Sequence, residues 1–243
     1  MRLTRVYVDA PLEPGARITL EGSAASHVTR VLRLRSGEAL TVFNGRGGEH
    51  AASIDKSHGG EVTVLIGEHR AVERESPVPI TLAQGISRGQ RMDLVVQKAT
   101  ELGVSRLVPV LTERSVVRLD AQQSDRKSNH WRAIAIAACE QCGRNRLPEV
   151  ALPAQLRELL REPAGDRARL LLSPDAALRV EDMPRPQSGV LVLIGPEGGL
   201  SEEEQGQAQA AGFTAVNLGP RVLRTETAAI AALTLLQREF GDI

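Results

Sequence analysis

The sequence has 243 residues, 42% of them hydrophobic, and its 30 basic residues balance its 30 acidic ones. This length allows one large domain or two modest ones with a real core. Zero net charge argues against a general polyanion binder, because non-specific nucleic-acid affinity comes from neutralising phosphates. No apolar run approaches the ~18 residues of a membrane span, and the first residues lack the apolar segment of a secretory signal. We therefore expect a cytoplasmic protein without membrane contact.

Residues 1–72 have the pattern of a small β-rich domain. Short apolar and alternating segments predict strands at residues 5–8, 17–20, 39–43, 51–54 and 61–66. The glycine-rich segment 44–48 predicts a hairpin turn between the third and fourth strands. A polar segment with two prolines, residues 70–79, then separates this domain from the rest of the chain. We place the linker at residues 73–79 and a second domain at residues 80–243.

One helix, predicted at residues 24–35, interrupts these strands. His27, Arg30 and Arg33 recur along it at helical spacing, and Val28 and Val31 fall on the other face. A basic stripe opposite an apolar one is usually only a solvated face. Contact with an RNA backbone is the alternative, and an RNA-directed activity elsewhere in the chain would favour it.

From residue 80 onward, strand and helix patterns alternate. The predicted strands are residues 80–83, 107–111, 168–172, 190–194 and 215–218. The predicted helices are residues 90–102, 126–141, 154–161, 201–211 and 225–240. The last helix places Ile230, Leu233, Leu236 and Phe240 near one face. Such alternation predicts an α/β domain with a mostly parallel sheet.

The long helix ends in C-E-Q-C-G-R-N-R, residues 139–146. A lone C-x-x-C supplies only two of the four ligands of a structural zinc site, and a helix C-terminus opposes the thiolate that redox chemistry needs. We therefore interpret Cys139 and Cys142 as packing residues and expect no metal. The sequel Arg144-Asn145-Arg146 could hold a phosphate and a base edge, although capping of the helix carbonyls is the simpler interpretation.

Residues 189–204 combine a buried strand, a glycine turn and a helix start. Five apolar residues run into Gly195-Pro196, and proline ends the strand because it has no ladder donor. Ser201 with Glu204 predicts a capping box, and open α/β sheets bind ligands at such turns. The turn lacks the glycine spacing of a dinucleotide fold and the lysine of a phosphate loop. Its acidic rim suits a cationic or hydroxyl-rich ligand, while an ordinary strand-to-helix turn remains the alternative.

A second short strand runs into Gly219-Pro220 before the last helix. Together, I-G-P-E-G-G at residues 194–199 and L-G-P-R-V-L-R-T-E-T at residues 218–227 resemble the signatures of one family. The sequence is similar to the bacterial 16S ribosomal RNA uridine N3-methyltransferases of the SPOUT class. A-C-E-Q-C-G-R-N-R at residues 138–146 matches a further motif of that family, and the resemblance covers nearly the whole chain.

The resemblance implies an architecture, a cofactor and partners. The N-terminal domain would be a PUA-like β-barrel that binds RNA, and the second a SPOUT α/β domain with a C-terminal trefoil knot. The methyl donor would be S-adenosylmethionine, and the substrate 16S ribosomal RNA within the small ribosomal subunit. The protein would form a homodimer through the knotted domain. Periodicity cannot reveal a knot, and base rates argue against one, so the knot is implied by the resemblance alone.

Methylation at uracil N3 requires loss of a proton from a weakly acidic nitrogen. An arginine can stabilise the negative charge that develops on the uracil carbonyl, and a carboxylate can accept the proton. We expect Arg144 in the first role, with Glu197 or Glu226 near the methyl group or the proton. An acidic rim at Glu197 is also compatible with the sulfonium cation of the donor.

The resemblance assigns the remaining site residues. The expected cofactor residues are Leu172, Ser173, Ile194, Gly195, Pro196, Glu197, Gly198, Gly199, Leu218, Gly219, Leu223, Arg224, Thr225 and Ala228. The expected RNA contacts are Arg2, Arg5, His27, Arg30, Arg33, Arg88, Arg91, Arg114, Asn145 and Arg146.

Two other functions compete with the methyltransferase. A non-catalytic RNA-binding or ribosome-assembly protein would explain the basic stripe, but it gives no reason for two glycine-proline turns at strand ends. A different α/β enzyme, such as a hydrolase, is disfavoured because neither a G-x-S-x-G nor an H-E-x-x-H motif is present.

Overall fold

The computed structural model describes residues 4–58, 61–115, 117, 119–163 and 165–243. The chain forms two compact units. The first consists of Met1–Glu75 and Ile136–Leu147, and the second of Ser76–Ala135 and Pro148–Ile243. The residues that follow the long helix therefore belong to the N-terminal unit.

The first unit contains the five predicted strands in one mixed sheet. Its strands are β1 (Arg5–Tyr7), β2 (Arg17–Leu20), β3 (Ala39–Phe43), β4 (Glu49–His58) and β5 (Glu61–Arg70). They are ordered β1-β3-β4-β5-β2, and only the β1–β3 pair is parallel. The hairpin between β3 and β4 is confirmed, and inward residues such as Val42, Ile54 and Val64 form the core of this unit.

The predicted helix at residues 24–35 is wrong in its extent and geometry. An α-helix, α1, covers only Gly22–Ser26 and passes into a π-helical turn at His27–Val31. The amide of Leu32 donates to the carbonyl of His27, five residues earlier, at 2.9 Å. Arg33 then adopts a left-handed conformation, with φ of 52°. A π-turn changes the angular spacing of residues along a helix. The turn ends at Val31, so Arg33 lies beyond the helix and does not continue a stripe along it.

Within its described residues, the second unit is built on eight strands, and every pairing among them is parallel. They are β6 (Ile80–Gly85), β7 (Arg106–Leu111), β8 (Glu149–Val150), β9 (Ala154–Gln155), β10 (Ala168–Leu172), β11 (Leu178–Arg179), β12 (Val190–Ile194) and β13 (Thr214–Asn217). Their order is β11-β13-β10-β12-β6-β7-β8, and β9 pairs with β7. The predicted parallel sheet is confirmed. The two-residue strands β8, β9 and β11 escaped prediction because they are too short to show a period.

Where the structure describes the chain, five α-helices accompany this sheet. They are α2 (Gln90–Glu101), α3 (Ala121–Cys142), α4 (Leu156–Arg161), α5 (Glu202–Ala210) and α6 (Thr225–Phe240). The helix α3 begins five residues before its predicted start. The Asp120 carboxylate accepts from the amide of Gln123 at 2.7 Å, and the Gln123 side chain accepts from the amide of Asp120 at 3.2 Å. This reciprocal cap was readable from the sequence as D-x-x-Q.

Both faces of the parallel sheet are buried. Along β12, Val192 packs into one apolar cluster and Leu193 into another. This explains why the strand reads as a continuous apolar run. The face of α6 that contains Leu233 and Phe240 lies in the first of these clusters, so most of the predicted apolar stripe packs within its own chain. Among the helices of the described residues, none is long and apolar enough to cross a membrane.

Candidate functional site

The two glycine-proline turns meet at one edge of the parallel sheet. The strands β12, β10 and β13 are neighbours and run in the same direction, so their carboxyl ends lie together. The loops that follow them, at residues 195–199, 172–174 and 218–225, line one cavity of about 680 Å³. This is the position at which open α/β sheets bind ligands.

The first turn keeps its shape through close backbone contacts. The amide of Gly199 donates to the carbonyl of Pro196 at 2.9 Å. A Cβ atom at Gly195 would lie 2.9 Å from the carbonyl carbon of Gly199, which leaves no room for a side chain. The predicted capping box is confirmed. The Ser201 side chain accepts from the amide of Glu204, and the carboxylate of Glu204 accepts from the amide of Ser201. The other carboxylate oxygen of Glu204 accepts from the amide of Glu113 at 2.8 Å.

A buried glutamine ties the two turns together beneath the cavity. Gln84 is fully buried at the end of β6. Its Nε2 donates to Oγ1 of Thr225 at 2.9 Å and to the carbonyl of Gly195 at 3.4 Å. The Thr225 hydroxyl donates to the same carbonyl at 2.7 Å. Sequence reasoning missed this residue; its only signal was an amide side chain inside an apolar strand.

Glu197, Glu226 and Arg91 lie close together on the cavity wall. Nη1 of Arg91 is 2.6 Å from Oε1 of Glu197, and its Nε is 3.9 Å from Oε1 of Glu226. Burial raises the pKa of Glu197, but hydrogen bonds from its own backbone, from Arg91 and from the amide of Arg88 outweigh burial, and the pKa lies below its ordinary value. Glu197 is therefore held as an anion. The other oxygen of Glu226, Oε2, is buried and has no hydrogen-bond partner among the described residues.

Every expected cofactor residue lines this cavity, and so do Glu226, Arg91 and Arg114. Nη1 of Arg114 donates to the carbonyl of Gly198 at 3.0 Å. The wall also contains residues outside the expected set: Pro174, Leu200, Gln205, Arg221 and Val222. Of these, Arg221 and Val222 lie inside the second glycine-proline motif, so the motif itself pointed to them.

The Arg144-Asn145-Arg146 segment belongs to the first unit. Arg144 is only 3% exposed, and its Nε and Nη2 contact the two oxygens of Glu75 at 3.0 and 2.5 Å. Burial lowers the pKa of this guanidinium, but the hydrogen bonds and charge of Glu75 outweigh burial and leave the pKa raised. Gly143, with φ of 92°, donates its amide to the carbonyl of Cys139 at 3.0 Å and closes α3. A glycine thus ends the helix.

Asn145 and Arg5 complete a buried polar network in the same unit. Nη2 of Arg5 donates to Oδ1 of Asn145 at 2.6 Å, and its Nη1 pairs with Glu49. Asn145 also donates to the carbonyl of Val72. Cys139 packs beside this network, and burial raises the pKa of its thiol to about 12. Within the described residues, no three His, Cys, Asp or Glu side chains form a group suited to a metal ion.

The other expected RNA contacts are scattered over the two units. Arg2 and the side chain of Arg30 lie outside the described part of the chain. His27 is half-buried, while Arg33 and Arg146 are exposed. Arg88, Arg91 and Arg114 lie in the second unit, where the last two line the cavity.

The fold and the cavity together define an α/β protein of the class that binds a ligand at the carboxyl ends of its strands. A profile of an RNA methyltransferase domain matches residues 74–237, and a profile of an RNA methyltransferase PUA domain matches residues 20–67. Because the first profile covers well over half of the sequence, the chain belongs to this RNA methyltransferase family.

Full-length relatives agree with this assignment. A ribosomal RNA small subunit methyltransferase E from Buchnera aphidicola is 33% identical over 242 residues, which cover 100% of this chain and 98% of that protein. The crystal structure of such an enzyme from Neisseria gonorrhoeae, bound to S-adenosyl methionine, is 38% identical with a TM-score of 0.93. A Legionella pneumophila protein, described as a methyltransferase in complex with the cofactor SAM, is 44% identical with a TM-score of 0.96. In both structural comparisons the whole of each chain is covered.

Proposed function

We propose that this protein transfers a methyl group from S-adenosylmethionine to N3 of a specific uridine in 16S ribosomal RNA of the small ribosomal subunit. The observation that carries the proposal is the cavity in which both glycine-proline turns meet. The relatives named above, two of them with bound cofactor in their structures, give the class of cofactor and substrate.

The cavity fits such a cofactor. Gly195 and Gly199 line the cavity and carry no side chain, so a ligand can approach their backbone closely. The unpartnered, buried Oε2 of Glu226 is an acceptor that a ligand can satisfy. The anionic Glu197 favours a positively charged ligand at the rim. When bound, S-adenosylmethionine supplies an electrophilic methyl group on a sulfonium.

The reaction also requires a group that accepts the proton of uracil N3. Glu197 is a poor proton acceptor, because its pKa is lowered and Arg91 holds its charge. Glu226 is the better candidate, because it lines the cavity and its buried Oε2 has no hydrogen-bond partner among the described residues. Arg144 is the residue proposed to stabilise negative charge on the uracil carbonyl oxygen. In that role its guanidinium either donates to Glu75 and the uracil together or breaks its hydrogen bonds with Glu75.

The domain roles and the assembly belong to the same proposal. Residues 1–72 would bind RNA as a barrel-like domain, residues 73–79 would link, and residues 80–243 would form the knotted catalytic domain of a cytoplasmic homodimer. Arg91 on α2 approaches Glu226 on α6, so Leu94 and Ile230, one turn further along each helix, fall near one another. Leu94 is 39% exposed and Ile230 is half-buried, which makes this surface suitable for pairing two subunits.

Transfer to small ribosomal subunits tests the function. Subunits from a strain that lacks the protein are incubated with purified protein and isotope-labelled S-adenosylmethionine, and the RNA is digested to nucleosides for mass spectrometry. We expect label in 3-methyluridine. Binding of subunits without any label transfer would favour the non-catalytic assembly protein, and label in another nucleoside would contradict the assignment of N3.

A further inference from the structure

Two loops of the first unit pair across a short β-bridge. The hairpin loop at residues 44–48 lies beside the segment that follows α3, and Arg46 forms an antiparallel bridge with Arg146. The amide of Gly47 donates to the carbonyl of Asn145 at 3.2 Å, and the amide of Leu147 donates to the carbonyl of Gly45 at 3.3 Å. Residues directly opposite each other in an antiparallel pair have neighbouring side chains. The bridge therefore brings two arginines together.

Glycines make this close approach possible. A Cβ atom at Gly47 would lie 2.6 Å from Nη2 of Arg146, so the guanidinium of Arg146 lies directly against the backbone of Gly47. Gly47 also has φ of 104°, which other residues rarely adopt. At Gly45, a Cβ atom would lie 2.8 Å from Cγ of Leu147. The loop is built so that Arg146 lies against it.

The local charges do not balance. Like charges directly opposite each other on a β-pair are destabilising. Glu73 is the nearest acid, with Oε2 3.6 Å from Nε of Arg146 and Oε1 accepting from the amide of Gly48 at 2.6 Å. The neighbouring acids are engaged elsewhere: Glu49 with Arg5 and Arg74, Glu75 with Arg144. Arg46 is exposed and makes no ion pair within the described residues.

We propose that Arg46 and Arg146 form a two-arginine clamp for a phosphodiester of the RNA substrate. An anion between the two guanidinium groups would remove their repulsion, and the arginine fork matches phosphate oxygens with two parallel hydrogen bonds. Each guanidinium is accessible: Arg46 is exposed, and the side chain of Arg146 is 56% exposed. The clamp rests on the proposed function and adds Arg46 to its RNA contacts.

Salt-dependent binding of small ribosomal subunits tests the clamp. The variants are Arg46→Ala, Arg146→Ala and the double variant, with Arg46→Lys as the charge-preserving partner. Arg17→Ala is the matched control, because Arg17 is an exposed arginine of the same unit that pairs with Asp55 at 3.1 Å. The plot of log affinity against log salt should become shallower by about 0.7–0.9 when one phosphate contact is lost. Arg46→Lys should keep most of the slope, and Arg17→Ala all of it.

Calorimetry with S-adenosylmethionine accompanies each variant and should give the parent affinity. A double variant with the parent's salt slope would overturn the clamp while leaving the methyltransferase intact. A parent protein that neither binds subunits nor methylates them would overturn both proposals.

Discussion

Gly198 lines the cavity and carries no side chain. A Cβ atom there would lie 3.2 Å from Cβ of Arg114, and the branches of valine would extend into the space beside the turn. We predict that Gly198→Val abolishes binding of S-adenosylmethionine in calorimetry while the protein remains folded. Gly206→Val on α5 is the matched control, because nothing lies within 4 Å of its Cβ position. Unchanged affinity in Gly198→Val would remove this turn from the cofactor site.

Glu226, the proposed proton acceptor, has a carboxylate oxygen without a hydrogen-bond partner in the part of the chain that the structure describes. The isosteric change Glu226→Gln keeps the shape and removes the basic oxygen. Loss of a general base typically costs about 10²–10⁴-fold in rate, so single-turnover methylation at saturating cofactor should slow by this order, and calorimetry separates this loss from any loss of cofactor binding. Glu202→Gln, at an exposed position on α5, should be neutral. A rate for Glu226→Gln within a few-fold of the parent's would contradict the role.

Variants of Arg144 and of its partner Glu75 distinguish a catalytic role of Arg144 from a structural one. Arg144→Lys keeps the charge but loses the fork, and removal of a stabilising donor costs on the order of 100-fold in rate. We predict such a loss in single-turnover methylation, with cofactor affinity unchanged. Glu75→Gln is the companion variant, because it weakens the partner but leaves the arginine in place. If Arg144 only holds Glu75, the two variants should lose activity and melting temperature alike.

At the scale of elements, Gln84 joins the end of β6 to both cavity loops. Gln84→Met keeps the volume but leaves the Thr225 hydroxyl and the Gly195 carbonyl without this donor, at a cost of about 1–3 kcal/mol. In a protein of this size each kcal/mol lowers the melting temperature by roughly 2–4 °C. We predict this lower melting temperature in thermal unfolding, together with a cofactor affinity about tenfold weaker in calorimetry, since about 1.4 kcal/mol corresponds to a factor of ten. Gln207→Met, at an exposed position on α5, should change neither, and an intact cofactor affinity in Gln84→Met would show that the tie is dispensable for the site.

At the scale of the whole molecule, the exposed apolar side chain of Leu94 bears on assembly. A buried aspartate without a partner is costly, so Leu94→Asp should convert the proposed dimer to a monomer in sedimentation experiments. Leu152→Asp is the control, because Leu152 is 57% exposed in a loop of the same unit. Equal sedimentation of the two variants and the parent would place the dimer contact on another surface.

The sequence by itself determined the elements and the chemistry of the turns. The β12 strand, the proline that ends it, and the Ser201–Glu204 cap all depend on residues within a few positions of one another. Such local interactions leave a pattern in the sequence because they repeat with the period of the element or follow from one residue's backbone preference. The same reasoning failed at residues 27–33, where a π-turn interrupts the helical period.

Only the tertiary structure decided which distant residues meet. The strand order that places β13 beside β10 and β10 beside β12 brings the loops of the cavity together, and no periodicity encodes that order. The same is true of Gln84 beneath the two loops, of Glu75 against Arg144, and of Arg46 opposite Arg146. These contacts join residues that are far apart in sequence, so they arise from the packing of whole elements and leave no local signal.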